Sequence, residues 1–178
     1  MRLIRNIFFT IVIMIVIFLA GAYALPDKVS IAREIQINAP AEKVFGHVND
    51  LRKFQAWSPW AVIDSDMKVV YSGAEFGKGQ VMAWTSNDPN VGSGSQTITA
   101  SVANEKVETR LDFGKMGFAD ASWTLESAGG GTRIIWSFKT DLGSHPLNRW
   151  MGLLFDGWIG KDYEKGLKAL KEIVEREL

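Results

Sequence analysis

Cysteine is absent from this sequence of 178 residues, and histidine occurs only at His47 and His145. Without a thiol the chain can form no disulfide bond, no thiolate metal site and no cysteine nucleophile. The two histidines fit no metal-binding spacing such as HExxH, and Ser58 has no G-x-S-x-G context. We therefore predict no metal site, no cofactor and no catalytic residue, and we expect His47 to be a half-buried helix residue.

A cluster of basic residues is missing as well. Twenty Lys and Arg balance twenty Asp and Glu, so the formal net charge is zero. Proteins that bind nucleic acid concentrate Lys and Arg on one surface, and this pattern is not seen here. Aromatic residues are abundant instead, with ten Phe, seven Trp and three Tyr. They are enough to fill a large core or to line a cavity.

The first 25 residues contain one long uncharged run, residues 7–25, preceded by Arg2 and Arg5. As a helix this run is about 28 Å long, close to the thickness of the hydrocarbon core of a bilayer. The two arginines favour a cytoplasmic N-terminus, so we expect a membrane anchor that places the rest of the chain on the periplasmic or extracellular side. A cleaved signal peptide is the alternative, because residues 22–24 form an A-x-A site, and cleavage would give a secreted protein. A buried core helix is disfavoured because no face of the run is polar.

The remainder of the chain has the patterns of a domain that is mostly β. Residues 28–37 alternate as a strand, and two short helices follow, the second of which must end before Pro59. Turn-forming residues then separate six further strands. These strands are predicted at residues 67–71, 81–85, 95–102, 106–113, 118–126 and 132–141.

A long amphipathic helix closes the chain. Its apolar stripe consists of Tyr163, Leu167, Leu170, Ile173 and Val174. The apolar segment before it contains three glycines, and we expect a helical approach with a bend near residues 156–160. The order β-α-α-β6-α predicts an α+β fold in which a curved antiparallel sheet wraps on the one long helix.

This order and two segments resemble the polyketide cyclase/dehydrase branch of the START-like (SRPBCC) superfamily. The segments are IQINAPAEKVFGHVNDLRKFQAWSPW at residues 35–60 and GKDYEKGLKALK at residues 160–171. The resemblance covers roughly residues 28 to 176. It implies a helix-grip fold with a hydrophobic cavity between the sheet and the C-terminal helix. We therefore expect residues 26–178 to form one ligand-binding domain after an anchor or signal peptide at residues 1–25.

Aromatic side chains are the candidates for the wall of that cavity. The strand alternation predicts that Trp123, Trp136 and Phe138 face the helix. The phase of Trp84 is ambiguous because Val81 and Ala83 alternate against it. Further candidates lie in the WSPW turn and on the approach to the last helix: Trp57, Trp60, Met151, Phe155 and Trp158. Packing in the core is the alternative role for each indole.

Arg33 lies in phase with the apolar residues of the first strand. A guanidinium in that position must pair with a carboxylate, bind an anionic ligand or extend to solvent. Glu75 and Asp120 are the acids that we expect as its partners, although we expect Asp120 to face solvent. We include Arg33 among the candidate ligand-binding residues.

Three functions remain open from the sequence. The first is an exported domain that binds an apolar or amphipathic small molecule such as a lipid, because pockets for such ligands are apolar with few polar groups. The second is a cyclase or dehydratase, as the family name suggests, which would need an acid or base inside the cavity. The third is a chaperone-like interaction module, which would need an exposed apolar patch.

Overall fold

A computed structural model describes residues 2–178, and the order of its elements agrees with the sequence pattern except for one additional short helix. The helices are α1 (Arg2–Ala24), α2 (Ala41–Val48), α3 (Leu51–Phe54), α4 (Pro59–Ile63) and α5 (Pro146–Arg176). The strands are β1 (Lys28–Ile37), β2 (Lys68–Gly73), β3 (Gln80–Thr85), β4 (Ser93–Val102), β5 (Lys106–Asp112), β6 (Phe118–Ala128) and β7 (Gly131–Asp141). A single 3₁₀ turn, Gly114–Met116, joins β5 to β6.

The seven strands form one antiparallel sheet in the order β1-β7-β6-β5-β4-β3-β2. Strands β2 to β7 follow one another as a meander, and β1 pairs along its whole length with β7. Helix α5 packs on one face of this sheet, which we call the inner face. This is the predicted helix-grip arrangement.

The apolar stripe of α5 explains how the helix is held on the sheet. Tyr163, Leu167, Leu170 and Val174 are each no more than 2% exposed. Their spacing of three and four residues puts them on one side of the helix, as expected for an amphipathic helix against a core. The predicted stripe is confirmed, with Ile173 half-buried at its margin.

The segment before this stripe differs from the prediction. Helix α5 runs unbroken from Pro146 to Arg176, and it begins after His145, whose extended backbone starts the helix. Two of its glycines allow close packing, because a Cβ at Gly160 would collide with the Arg33 guanidinium and one at Gly166 would lie 2.8 Å from Trp136 Cζ3. Of the three glycines that suggested a bend, Gly160 therefore serves a contact with β1, Gly152 lies against Val29 and Leu142, and a Cβ at Gly157 would meet nothing within 4 Å.

The WSPW turn also differs from the prediction, which placed two short helices before the meander. Ser58 is extended, as the following proline requires, but Pro59 then begins a third short helix, α4. Proline suits the first turn of a helix because that turn needs no amide donor. Trp57 therefore lies in the link between α3 and α4, and Trp60 lies in α4.

His47 is a buried residue of α2 that ties this helix to the C-terminus. The residue is 8% exposed, and its Nε2 donates a hydrogen bond of 3.0 Å to Glu177 Oε2. The hydrogen bond from His47 lowers the pKa of the Glu177 carboxyl. This contact supports a structural role for His47, in line with the expectation from sequence.

Candidate functional site

Three tryptophans meet on the inner face, where the sheet, α5 and the link between α3 and α4 come together. Trp57, Trp123 and Trp136 are at most 2% exposed. Their ring centroids lie 5.9 Å (Trp57 to Trp123), 5.4 Å (Trp57 to Trp136) and 5.6 Å (Trp123 to Trp136) apart. Phe54 packs within 4.7 Å of Trp57. We call these four residues the aromatic cluster.

Two further rings join the aromatic cluster to the helices. Tyr163 of α5 stacks on Trp136 with a centroid distance of 3.7 Å and an interplanar angle of 12°. Trp60 of α4 is half-buried and meets Trp136 edge-on at 6.1 Å. Burial raises the pKa of the Tyr163 phenol, so the hydroxyl stays protonated and neutral.

The aromatic cluster contains three buried donors without acceptors. The indole Nε1 atoms of Trp57, Trp123 and Trp136 have no hydrogen-bond partner among residues 2–178. A buried donor that loses its hydrogen bond costs about 1–3 kcal/mol, so buried indoles are usually paired. A ligand oxygen that accepted a hydrogen bond from one of these N–H groups would remove the cost for that donor.

The strand register assigns the other predicted wall residues to a face. Trp136 lies opposite Trp123, and Phe138 lies opposite Ala121, so the adjacent strands β6 and β7 present Trp123, Trp136 and Phe138 to α5. Trp84, whose phase was ambiguous, lies opposite Gly94 on the inner face and packs against Phe113 at 6.0 Å. A Cβ at Gly94 would lie 2.8 Å from the Trp84 ring, so the glycine makes room for the indole.

The structure does not bring every predicted wall residue to the inner face. Met151 is 47% exposed and Trp158 is 54% exposed on the outer side of α5. Phe155 is half-buried and packs against the core. Helix phase alone could not separate these three residues, because large apolar residues occur on every side of the segment before residue 160.

A buried polar pair on the inner face was missed from the sequence. Gln96 and Thr109 are 4% and 1% exposed, and Gln96 Nε2 donates a hydrogen bond of 3.0 Å to Thr109 Oγ1. The neighbouring β6 positions on this face are Ala119 and Ala121, whose small side chains leave room beside the pair. The alternation of β5 could have shown the position of Thr109, because it lies two residues after Val107 and therefore on the same face of the strand.

Arg33 lies on the inner face, as its phase predicted, but the predicted partners were wrong. Its guanidinium bonds to Glu164 Oε1 at 2.7 Å and to Asp156 Oδ1 at 3.0 Å, both on α5. Asp120 is exposed and pairs instead with Arg110. The hydrogen bonds to Glu164 and Asp156 raise the pKa of Arg33 further. Because two carboxylates already pair with the guanidinium, this geometry favours the ion pair among the alternatives left open by the sequence and disfavours a role of Arg33 in binding an anionic ligand.

Replacing Arg33 with alanine is therefore expected to lower the free energy of unfolding by about 1 kcal/mol or less, the usual value for solvent-accessible ion pairs. The loss should shrink in about 0.5 M salt, which screens such pairs. Urea unfolding of the full chain in detergent at low and high salt measures both effects, with Arg110→Ala as the matched control on the outer face. A loss for Arg33→Ala that is the same at both salt concentrations would assign the effect to packing of the side-chain stem.

Two hollows lie away from the aromatic cluster, whose rings pack against one another. One of about 360 Å³ is lined by Ile63, Asp64, Asp66, Lys68 and residues 85–88, and the Ser86 hydroxyl donates to the Asp64 carboxylate there. The other, of about 300 Å³, lies on the outer face of β4 to β7 and includes Lys106, Glu108 and Lys139. Both are rich in polar side chains and do not resemble the apolar site expected from the sequence. Within residues 2–178 no group of three or more His, Asp or Glu side chains is placed to hold a metal ion.

Solved structures share this architecture at low sequence identity. Truncated norcoclaurine synthase from Thalictrum flavum superposes with a TM-score of 0.63 at 12% identity, over 83% of this chain and 93% of that one. The Aha1 protein of Colwellia psychrerythraea, solved as a dimer, gives a TM-score of 0.57 at 20% identity, over 83% and 96% of the two chains.

A third similar structure is the di-domain ARO/CYC StfQ from the steffimycin biosynthetic pathway. It gives a TM-score of 0.63 at 10% identity, over 89% of this chain and 53% of that one. These identities establish a common fold and nothing finer. Comparison with curated proteins gave no match.

The family model for polyketide cyclase/dehydrase and lipid transport proteins matches residues 28–175. The match takes in every strand, helices α2 to α4 and nearly all of α5. The protein therefore belongs to the polyketide cyclase/dehydrase and lipid transport family, with an additional apolar helix at its N-terminus.

Proposed function

We propose that residues 26–178 form a binding domain for an apolar or amphipathic small molecule, such as a lipid, and that residues 1–25 anchor this domain to a membrane. The ligand would lie on the inner face between the sheet and α5. The three unpaired indole donors of the aromatic cluster are the observation that carries this proposal. They favour a ligand that combines an apolar body with an acceptor such as a carbonyl, hydroxyl or carboxylate oxygen.

Entry of such a ligand requires the aromatic rings to separate. Trp123 and Trp136 lie on β6 and β7, each of which is paired on both sides within the sheet. Trp57 and Trp60 lie on a link and a five-residue helix that are joined to the sheet only by short segments. Short elements with few backbone contacts open at lower cost than central strands. We therefore assign the opening motion to the segment that carries Trp57 and Trp60.

The membrane anchor in this proposal is α1. It is the one helix within residues 2–178 that is long and apolar enough to cross a membrane, and only 6% of its most apolar window is buried against the rest of the chain. A helix that belonged to the core would be covered. With Arg2 and Arg5 on the cytoplasmic side, the domain would lie on the exported side.

An enzyme of the cyclase or dehydratase type is the second candidate. Two of the similar structures carry names of enzymes or biosynthetic proteins, norcoclaurine synthase and ARO/CYC StfQ. Tyr163 is the titratable side chain that contacts the aromatic cluster. Its raised pKa suits it to donate a hydrogen bond and not to act as a base near neutral pH. Binding without turnover therefore agrees better with the geometry.

Native mass spectrometry of the full chain, extracted from membranes in detergent, tests the proposal. We expect a co-purified small molecule with wild type. Trp57→Phe and Trp123→Phe keep an apolar ring but remove the indole donor, so each should reduce retention about tenfold, the value of one hydrogen bond. Trp158→Phe is the matched control, because that indole is exposed. Absence of any bound molecule in wild type, or equal retention by all variants, would contradict the proposal.

A further inference from the structure

The exposed side chains of α5 change from apolar to charged near residue 160. In its second half the exposed side chains are charged, as in Lys161, Glu164, Lys165 and Lys168. In its first half they are mostly large and apolar. These are Leu147 (56% exposed), Met151 (47%), Leu153 (56%), Leu154 (51%) and Trp158 (54%). A contiguous apolar patch of this kind on a protein surface usually marks a contact with a partner or a membrane.

Most of this patch forms a single stripe. Leu147, Met151, Leu154 and Trp158 follow at intervals of four, three and four residues, so they share one side of the helix. Asp156 is the acidic residue in this half of the helix, and its carboxylate forms an ion pair with the Arg33 guanidinium. We call this stripe, together with Leu153, the α5 patch.

The end of α1 packs directly beside the α5 patch. Phe18 stacks on Trp150 with a centroid distance of 5.7 Å, and Trp150 Nε1 donates to the Phe18 carbonyl at 3.2 Å. Gly21 permits this approach, since a Cβ there would lie 2.9 Å from the Trp150 ring. Arg149 donates to the carbonyl of Leu25 at 3.3 Å. These contacts hold the first half of α5 against the last two turns of α1.

This packing determines where α5 lies if α1 spans a bilayer. Phe18 precedes the end of the apolar run by seven residues, or about 10 Å along a helix. Trp150, which stacks on Phe18, then lies at about this depth below the exported edge of the hydrocarbon core, where the Phe18 carbonyl accepts its indole N–H. Tyr23 is two residues before the end of the run and 60% exposed, so it lies near the membrane–water interface, where Tyr and Trp are enriched.

We propose that the α5 patch is a second membrane contact, inserted into the exported leaflet of the same bilayer that α1 crosses. Amphipathic helices that lie in the interface bury an apolar face about 5–10 Å into it. The proposal rests on the anchor role of α1 in the proposed function. A bilayer is favoured over a protein partner because the patch is continuous with the contact to a helix that would itself lie in lipid. In this orientation Phe155, which packs against the core and whose ring centroid lies 6.4 Å from that of Trp158, would connect the inner face with the bilayer, so a lipid could reach the aromatic cluster without crossing water.

The absence of cysteine permits a test with single spin labels. The full chain is reconstituted into vesicles of phosphatidylcholine and phosphatidylglycerol, with a nitroxide on Leu154→Cys or Leu147→Cys. Ile13→Cys reports on the anchor, and Val70→Cys is the control for an exposed apolar residue on the outer face, 66% exposed. Accessibility to oxygen reports lipid, and accessibility to a water-soluble nickel complex reports solvent.

We expect the labels at residues 13, 147 and 154 to favour oxygen and the label at residue 70 to favour the nickel complex. A label at residue 13 in lipid, with labels at residues 147 and 154 as exposed to nickel as residue 70, would overturn the inference and leave the anchor intact. A label at residue 13 that is exposed to nickel would overturn the anchor and, with it, this inference.

Discussion

Replacing Trp136 with alanine is expected to lower the free energy of unfolding by about 3–5 kcal/mol, the range observed when a buried Trp or Phe is truncated to alanine. Trp136 is 2% exposed and lies at the centre of the inner face. It contacts Trp57, Trp123 and Tyr163, and Gly166 of α5 lies against its ring edge. The substitution removes the surface on which α5 is seated as well as the indole itself.

Urea unfolding of the full chain in detergent, followed by far-ultraviolet circular dichroism, measures this loss. Phe76→Ala is the matched control, because Phe76 is an aromatic side chain that is 63% exposed in the turn between β2 and β3. We expect the control to lose less than about 0.5 kcal/mol, as is usual for surface positions. A loss below about 1 kcal/mol for Trp136→Ala would show that the aromatic cluster is not closely packed in solution.

Leu167→Ala is expected to lower the free energy of unfolding by about 2–5 kcal/mol. Leu167 is 1% exposed at the centre of the stripe that α5 presents to the sheet. Removing its branched end leaves a cavity between two rigid elements, which can relax only in part. The helix propensity of alanine exceeds that of leucine by only a few tenths of a kcal/mol and cannot offset this loss.

Lys168→Ala provides the control for this second substitution. It changes the next residue on the same helix, whose side chain is exposed. The same urea titration should give a difference from wild type within about 0.5 kcal/mol. If Leu167→Ala and Lys168→Ala proved equally mild, the face of α5 that contacts the sheet would have been assigned wrongly.

The confirmed predictions are those that depend on a local period. Alternation along a strand fixes which side chains share a face, and this placed Trp123, Trp136 and Phe138 together before any register was known. The period of 3.6 did the same for Tyr163 and Leu167 on α5. The family match and the helix-grip fold follow from the same patterns and from the motifs at residues 35–60 and 160–171.

The sequence could not predict which residues contact each other when they are distant along the chain. Arg33 was correctly placed on the inner face, but its carboxylates come from Asp156 and Glu164, more than one hundred residues later in the chain. Trp84 could be assigned to a face only from its position opposite Gly94 in the neighbouring strand. The first contact depends on how α5 packs on the sheet and the second on the register of β3 and β4, and no local pattern encodes either.

The amino-acid sequence by itself determined the apolar N-terminal helix, the antiparallel strands and the buried stripe of α5, because each follows from hydrophobic period and length. Only the tertiary structure determined which of the individual aromatic residues are buried and which are exposed. Trp136 and Trp158 are chemically identical, yet one is 2% exposed and the other 54%. The difference arises because α5 turns one side to the sheet and leaves the other side of its first half uncovered beside α1.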